Sequence, residues 1–372
     1  MSEKKKIGML TFSYSSNPGS VLQTYALQDT ISNMEGYTAS IINYQKIQAG
    51  KPIIGETIFT KPIKRWTVKK VAEWVARMVA YPLRMSKYEK FFGEYYKNFN
   101  PKRITREDLP SIEMEYDKFV VGSDQVWNYD SPNVDDTHFL DFVSDSSKKI
   151  SYAASFGKNG VPEEKKEDAK KYISDFASIS VREEVGVEIV SDLTDKKAEF
   201  VLDPSLLLDK ERYQQMAIKP RKKKYVFLYL REESPQLEKF AKDLAKCYGL
   251  TVVKVIKHWM CNKQGKGFYA IGPRQWIGFM ENADFVVTNS FHGICFSLIF
   301  EREFYINLLK DSKIVTNSRL QGILAQFGLK KRGIDEIEDL TDLDKIDYEK
   351  VNELKAKRKE HSLKFLKEAL EK

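Results

Sequence analysis

Cysteine is scarce: Cys247, Cys261 and Cys295 are the only three among 372 residues. An odd number without paired spacing indicates neither a disulfide framework nor a zinc site. His258 and Cys261 form one isolated HxxC, a pattern that arises more often by accident than by metal ligation. Long apolar runs are missing too, and no stretch approaches the roughly 20 residues of a membrane span. The run IGMLTF after MSEKKK is too short for a signal-peptide core and has no small-residue cleavage site behind it, so the expected location is the cytoplasm. With 19 Gly and 12 Pro the chain is neither fibrous nor disordered, and it has no low-complexity tract or internal repeat. The first glycine-bearing loop, SYSSNPGS, has neither GxGxxG nor GxxxxGK[ST], which leaves a standard dinucleotide or P-loop reading unsupported.

What is present describes a globular α/β protein. Hydrophobic residues make up 42% and charged residues 31%, and the length suits two domains with a cleft between them. The formal charge of +8, from 61 Lys and Arg against 53 Asp and Glu, favours an anionic partner. Phosphorylated metabolites and acidic membrane surfaces fit that charge. Nucleic acid has no recognisable binding motif to support it.

Along the chain, KIGMLTF reads as a strand, VLQTYALQDTISNM as a helix and YTASIINY as a second strand, a β-α-β unit. Asn17, Ser20 and the free amides of the helix start then fall at the carboxyl end of a strand, where open α/β sheets bind ligands. A turn and cap made by Asn17 and Gly19 is the equally weighted plain reading. Residues 61–97 mix aromatics with Lys and Arg. Val68, Val71, Ala72, Val75, Met78 and Val79 make an apolar helical stripe there, which suits packing on the chain's own domain or lying on an anionic bilayer. Four β-rich runs follow, ending in GSDQ, ASFG, REE and DP, the pattern of a parallel-sheet rim. The basic segment DKERYQQMAIKPRKKK reads as a linker. Beyond it YVFLYL, SPQLEKFAKDLAKCYG and TVVKVI restart the β-α-β pattern, and the charged tail from about 346 is an amphipathic helix. His361, within that tail, is most simply a solvated surface residue.

The stretch VVTNSFHGICFSLIF sets His292 where a strand ends and a helix begins. A helix N-terminus disfavours the imidazolium and a bound anion favours it, which suits a general acid or base; a structural histidine is the alternative. Arg182, at the end of ISV, has the same placement and could grip a carboxylate or phosphate through two parallel hydrogen bonds. An ion pair with Glu183, Glu184 or another nearby acid accounts for it equally well. Asp124 in GSDQVWN is expected to cap a following helix rather than act as a catalytic carboxylate, and Trp127 is expected to be packed.

Taken together, NPGSVLQTYALQ, VVGSDQVWN, SYAASFG, SVRE, VLDPSLLL and TNSFHGICFSLIFEREFY, in that order, resemble the polysaccharide pyruvyl transferase family from about residue 7 to 329. The resemblance implies a GT-B-like fold of two Rossmann-like domains with a cleft between them and a C-terminal helix. On this reading residues 1–208 form the acceptor-side domain, 209–345 the donor-side domain, and 346–372 a helix packing back on the first. It also implies transfer of the pyruvyl group of phosphoenolpyruvate, a co-substrate rather than a cofactor, as a ketal onto two hydroxyls of a sugar. His292 and Arg182 take the catalytic roles, and Arg182, Lys310 or Lys313, Ser290 and Asn289 bind the donor. Asn17, Ser20, Gln23 and Asp124 are the acceptor-side residues. Many relatives read NYGA where this chain has Asn17, Pro18, Gly19 and Ser20, and the proline removes a backbone donor there.

The scheme requires no metal, and the sequence offers no clear ligand cluster for one. The acceptor is expected to be a sugar or lipid-linked oligosaccharide of a cell-surface polysaccharide, with residues 66–80 making peripheral contact with the inner membrane face. A nucleotide-sugar glycosyltransferase and a catalytically silent glycan- or partner-binding relative are the competing functions, since one fold hosts many chemistries.

Overall fold

The structure, a computed structural model, describes residues 3–48, 51–52, 68–99, 102–255, 270–307 and 317–372. The first unit opens with β1 (Lys5–Leu10), α1 (Pro18–Ser32) and β2 (Tyr37–Ile41), the two strands pairing in parallel. The helix starts three residues earlier than the apolar pattern predicts. Pro18 explains this, because its fixed φ and missing N–H cost nothing in a first turn that Asn17 caps. A short hairpin, β3 (Ile47–Gln48) with β4 (Lys51–Pro52), precedes the long helix α2 (Val68–Tyr95), which runs through Pro82. The apolar stripe expected over residues 66–80 lies outside the described side chains.

The unit continues through α3 (Leu109–Ile112), β5 (Lys118–Val121), β6 (Lys149–Ser151), α4 (Lys166–Ser174), β7 (Ile179–Val181), α5 (Glu184–Leu193) and β8 (Ala198–Phe200). Strands β2-β1-β5-β6 form one parallel sheet. Single parallel bridges from Ile150 to Ser178 and from Ala154 to Val181 tie the β7–β8 pair to it. The second unit contains α6 (Lys210–Gln214), β9 (Tyr225–Tyr229), α7 (Pro235–Cys247), β10 (Thr251–Val255), α8 (Pro273–Glu281), β11 (Phe285–Thr288), α9 (Phe291–Ile299) and β12 (Glu303–Ile306). Its four strands are parallel in the order β10-β9-β11-β12. Helices α10 (Asn317–Gln326) and α11 (Tyr348–Glu371) complete the described chain. Every residue of β5 and β9 is buried, which is why these strands read as continuous rather than alternating apolar runs. The architecture is two Rossmann-like α/β units in a GT-B-like arrangement.

Helix α1 is buried from Pro18 to Ile31, on all faces. It sits against α8 and the turn at Pro204–Leu206, so both units cover it. One continuous apolar cluster accordingly joins Val21 and Tyr25 of α1 to Phe227, Trp276 and Phe296 of the second unit. Such burial of large side chains is worth roughly 1.5–3 kcal/mol each. The buried Asp29 of α1 receives Arg212 Nη2 at 2.6 Å and Lys97 Nζ at 3.5 Å, which answers its charge from both sides.

The segment expected as a linker packs at its start. Tyr213 and Met216, three residues apart, are both buried, and the Tyr213 ring centroid lies 4.9 Å from that of Phe296. An apolar pair at this spacing makes one helical face, which the surrounding lysines and arginines disguise. Helix α11 returns to the first unit: the Ser362 hydroxyl accepts the Leu202 amide at 2.9 Å, while Leu366 and Leu370 are buried. His361, half exposed, stands 3.3 Å from Glu199 at the surface. Trp127 is fully buried against Phe139, and its indole N–H donates to the His138 carbonyl.

Candidate active site

Parallel strands of both sheets point their carboxyl ends at one cavity of about 500 Å³. Residues just beyond β1, β5, β7, β9, β11 and β12 line it, among them Ser13, Asp124, Arg182, Arg231, His292 and Asn307. Backbone N–H groups at the helix starts beyond these strands are unpaired within their helices, so this rim attracts negative charge.

His292 occupies the first turn of α9. Ser290 caps that turn by accepting the Gly293 amide, and its own amide donates to Thr288 Oγ1 at 3.0 Å. The imidazole lies across the cleft against the first turn of α1. A Cβ on Gly19 would stand 2.4 Å from His292 Nδ1, so only glycine permits this approach. His292 is 5% exposed, and its Nε2 has no hydrogen-bond partner. The Asp203 carboxylate lies 3.7 Å from that nitrogen, too long for a hydrogen bond but close enough to act on its charge.

Arg182, expected to grip the donor, borders the cavity and is ion-paired within the protein. Its side chain is wholly inaccessible, and the guanidinium reaches three carboxylates: Asp203 at 2.9 Å, Glu183 at 3.2 Å and Asp124 at 3.4 Å. The Phe291 ring covers it with the centroid 4.4 Å from Cζ. Burial opposes its charge, but Glu183, Asp124 and Asp203 outweigh that and raise its pKa further. Burial likewise pushes Asp203 up, while His292 and Arg182 hold it far below the usual carboxylate range. Ion pairing, one of the two readings its sequence position allowed, satisfies Arg182 from within the protein.

Asp124 is not a helix cap, because no helix follows it. Its φ is +70°, a left-handed conformation unusual outside glycine, and Oδ1 accepts the Gln125 amide in a tight turn. The Ser20 hydroxyl donates to its other oxygen, linking the start of α1 to the Arg182 network. Asn17 accepts the Gly19 amide as N-cap, donates to Ser20 Oγ at 2.9 Å and receives the Tyr229 hydroxyl at 3.4 Å from the second unit. Asn17, Ser20 and Asp124 all line the cavity. Gln23 does not: it is fully buried beneath the loop and donates to Thr11 Oγ1 and the Ser20 carbonyl, so it braces the loop rather than meeting a ligand. Asn289 accepts the Arg231 amide and donates to the Glu232 carbonyl, clamping the loop after β9, and with Ser290 it lines the cavity. Lys310 and Lys313, like His258 and Cys261, lie outside the described residues.

A sequence model of one family, polysaccharide pyruvyl transferase, matches residues 17–306, from the cap of α1 to the end of β12. The chain belongs to the polysaccharide pyruvyl transferase family. No curated protein matches it. Among solved structures it is similar to the UDP-GlcNAc 2-epimerase of Neisseria meningitidis bound to UDP-GlcNAc, with 9% identity, 98% of each chain covered and a TM-score of 0.46. It is also similar to the wall teichoic acid polymerase TagF, with 11% identity, 99% of this chain and 89% of the other covered and a TM-score of 0.48. The UDP-GlcNAc 2-epimerase of Methanocaldococcus jannaschii gives 11% identity, 94% and 91% coverage and a TM-score of 0.44.

Sequence reasoning passed over several residues of the cavity and its surroundings in this family member. Asp203 carried a usable signal, since Asp-Pro directly after a strand run marks a cap at a strand end. Arg231 had the same signal as Arg182, a cation just past a strand. Buried His138 and half-buried Asp135 form a pair in the first unit, Nδ1 to Oδ1 at 3.3 Å, with the His138 ring beside Phe12 and Tyr44. The local signal was an Asp three residues before a His: Asp135 accepts the Thr137 amide and His138 Nδ1 accepts the Asp135 amide across the 3₁₀ turn that joins them. Arg319 had no signal either and lies beyond the family match. Among the described residues no group of three or more His, Cys, Asp or Glu is placed to hold a metal ion. No described helix is long and apolar enough to cross a membrane.

Proposed function

We propose that this polysaccharide pyruvyl transferase moves the pyruvyl group of phosphoenolpyruvate onto two hydroxyls of one sugar, forming a cyclic ketal and releasing phosphate. The supporting observation is the position of His292, whose side chain packs on the first turn of α1, borders a cavity lined by arginines and carries an Nε2 without a hydrogen-bond partner. Phosphoenolpyruvate carries a carboxylate and a phosphate, and helix starts and guanidinium groups suit both.

In this scheme the imidazolium of His292 gives a proton to the methylene carbon of phosphoenolpyruvate, which becomes a methyl group. Positive character then develops at the neighbouring carbon, and a sugar hydroxyl oxygen bonds to it, its proton returning to His292. The carbon–oxygen bond to phosphate breaks next, and the second hydroxyl closes the ring at the same carbon. The second hydroxyl proton leaves with the phosphate as hydrogen phosphate, so atoms and charge balance. Asp203 is placed to stabilise the imidazolium form that starts the cycle. General acid catalysis of this kind contributes about 10²- to 10⁴-fold.

The acceptor in this reading is a sugar of a cell-surface polysaccharide or its lipid-linked precursor, met on the side of Asn17, Ser20 and Asp124. Peripheral contact of residues 66–80 with an anionic membrane belongs to the same reading, and sedimentation with anionic liposomes at low salt tests it; no sedimentation removes it. The decisive test is incubation with phosphoenolpyruvate and candidate acceptor glycans, following phosphate release and the acceptor's mass. Ketal-bearing product that disappears in His292→Ala supports the reaction. Full activity in that variant, or no binding of phosphoenolpyruvate by the wild-type protein, sinks it.

A further inference from the structure

Among the described residues, Arg319 is a cation with no carboxylate in an ion pair with it. It lies in the first turn of α10, lines the cavity, and its enclosed Nε has no hydrogen-bond partner. Its close contact among the described residues is neutral: with the Gln125 amide oxygen turned toward it, Nη2 donates at 2.8 Å. The acids nearest in charge effect, Asp124 and Glu183, are bonded to Arg182. A cation at a helix N-terminus also opposes the helix dipole.

The energetics run against the fold. Burial, together with the like charges of Arg182 and Arg231, pulls the Arg319 pKa down to about 10, and Glu183 and Asp124 offset only part of this. A half-buried guanidinium that desolvation and like charges disfavour is relieved when an anion enters beside it. Arg182 is the opposite case, with three carboxylates and no accessible side-chain surface.

We propose that Arg319 grips the anionic donor, while Arg182 is a positioning residue that holds Asp203 and Asp124 in place. The assignment rests on the phosphoenolpyruvate reading above and deepens it. Arg319, on α10, and His292, on α9, line the same cavity, so a donor held by Arg319 shares that cavity with the proposed acid. Arg231, at the end of β9, lines the same cavity and is the second cation available to the donor.

The test is titration calorimetry with phosphoenolpyruvate on wild type, Arg319→Gln and Arg319→Lys, with the unliganded thermal midpoint of each. Arg319→Gln is expected to weaken binding about tenfold or more, since a charge-assisted bond is lost, and Arg319→Lys to recover only part of it. The unliganded midpoint is expected to stay level or rise, because a partly desolvated charge facing like charges has been removed. Equal affinity in wild type and Arg319→Gln overturns the assignment. A midpoint that falls by several degrees overturns it too, since that marks a structural arginine. Should the wild type itself not bind phosphoenolpyruvate, the donor reading fails separately, and inorganic phosphate then decides Arg319. Phosphate binding lost in Arg319→Gln upholds an anion grip, and phosphate binding that does not differ between the two proteins overturns it.

Discussion

The carboxylate of Asp203 stands 3.7 Å from Nε2 of His292 and at the same time accepts Arg182 Nη1 at 2.9 Å. Asp203 follows the last strand of the first unit, and His292 opens a helix of the second. The pair therefore joins the two halves of the cleft, and anything that shifts one half changes the surroundings of the proposed acid.

Replacing Asp203 with Asn keeps the shape and removes the charge. Under the proposed chemistry His292→Gln lowers phosphate release by about 10²- to 10⁴-fold. Asp203→Asn is expected to lower it by a smaller factor, because Asp203 acts through the imidazole. Steady-state rates of the two variants and the double variant check this, with the double variant expected to match His292→Gln alone.

Gly19→Ala is expected to damage the site without touching a polar group. The added methyl would meet the His292 ring at 2.4 to 2.7 Å, so the ring or the start of α1 must move. Overpacking of this sort costs about 1–3 kcal/mol, and a displacement near 1 Å can cost about 10²-fold in rate. Denaturant unfolding and turnover, measured on the same preparation, read both effects.

Arg182→Met leaves Asp203, Asp124 and Glu183 buried around an apolar side chain. Removing one partner of a buried ion pair destabilises by about 3–5 kcal/mol, and this network sits at that level or above. Equilibrium urea unfolding is the measurement. A loss below about 1 kcal/mol would remove Arg182 from its positioning role.

Acid stability should carry the signature of Asp135. Burial pushes its carboxyl upward, but hydrogen bonds with His138 and Tyr44 outweigh this and hold it at about 2, against an ordinary value of 3.8. Its folded-state pKa is depressed, so the stabilisation is complete above about pH 4 and disappears as pH falls through about 2. The contribution is ~2 kcal/mol. Asp135→Asn is expected to be less stable at neutral pH and to lose less between pH 4 and 2, as read from unfolding midpoints across that range.

Much of the fold was legible because strand and helix periodicity is local. KIGMLTF, YVFLYL and DFVVTNS announce buried parallel strands, and Ser290 before Phe291-His292-Gly293 announces a capped helix. The same locality misled at Asp124, where a polar residue before an apolar run looked like a cap and is a left-handed turn held by Ser20 and Arg182. The packed segment around Tyr213 and Met216 was read as a linker because its lysines and arginines mask two apolar contacts.

By itself the sequence determined the family, the two parallel α/β units and the placing of His292 and Arg182 just beyond strands. These follow from short-range patterns and from motifs in a fixed order. Only the tertiary structure decided what each charged group faces. Arg182, Asp203 and Asp124 come from separate strand ends and pair with one another when the sheet forms, while Arg319 arrives from a distant helix with no carboxylate among the described residues paired to it. Whether a cation is satisfied or waiting for a ligand depends on neighbours within a few ångströms, and those neighbours are set by packing across the cleft rather than by order along the chain.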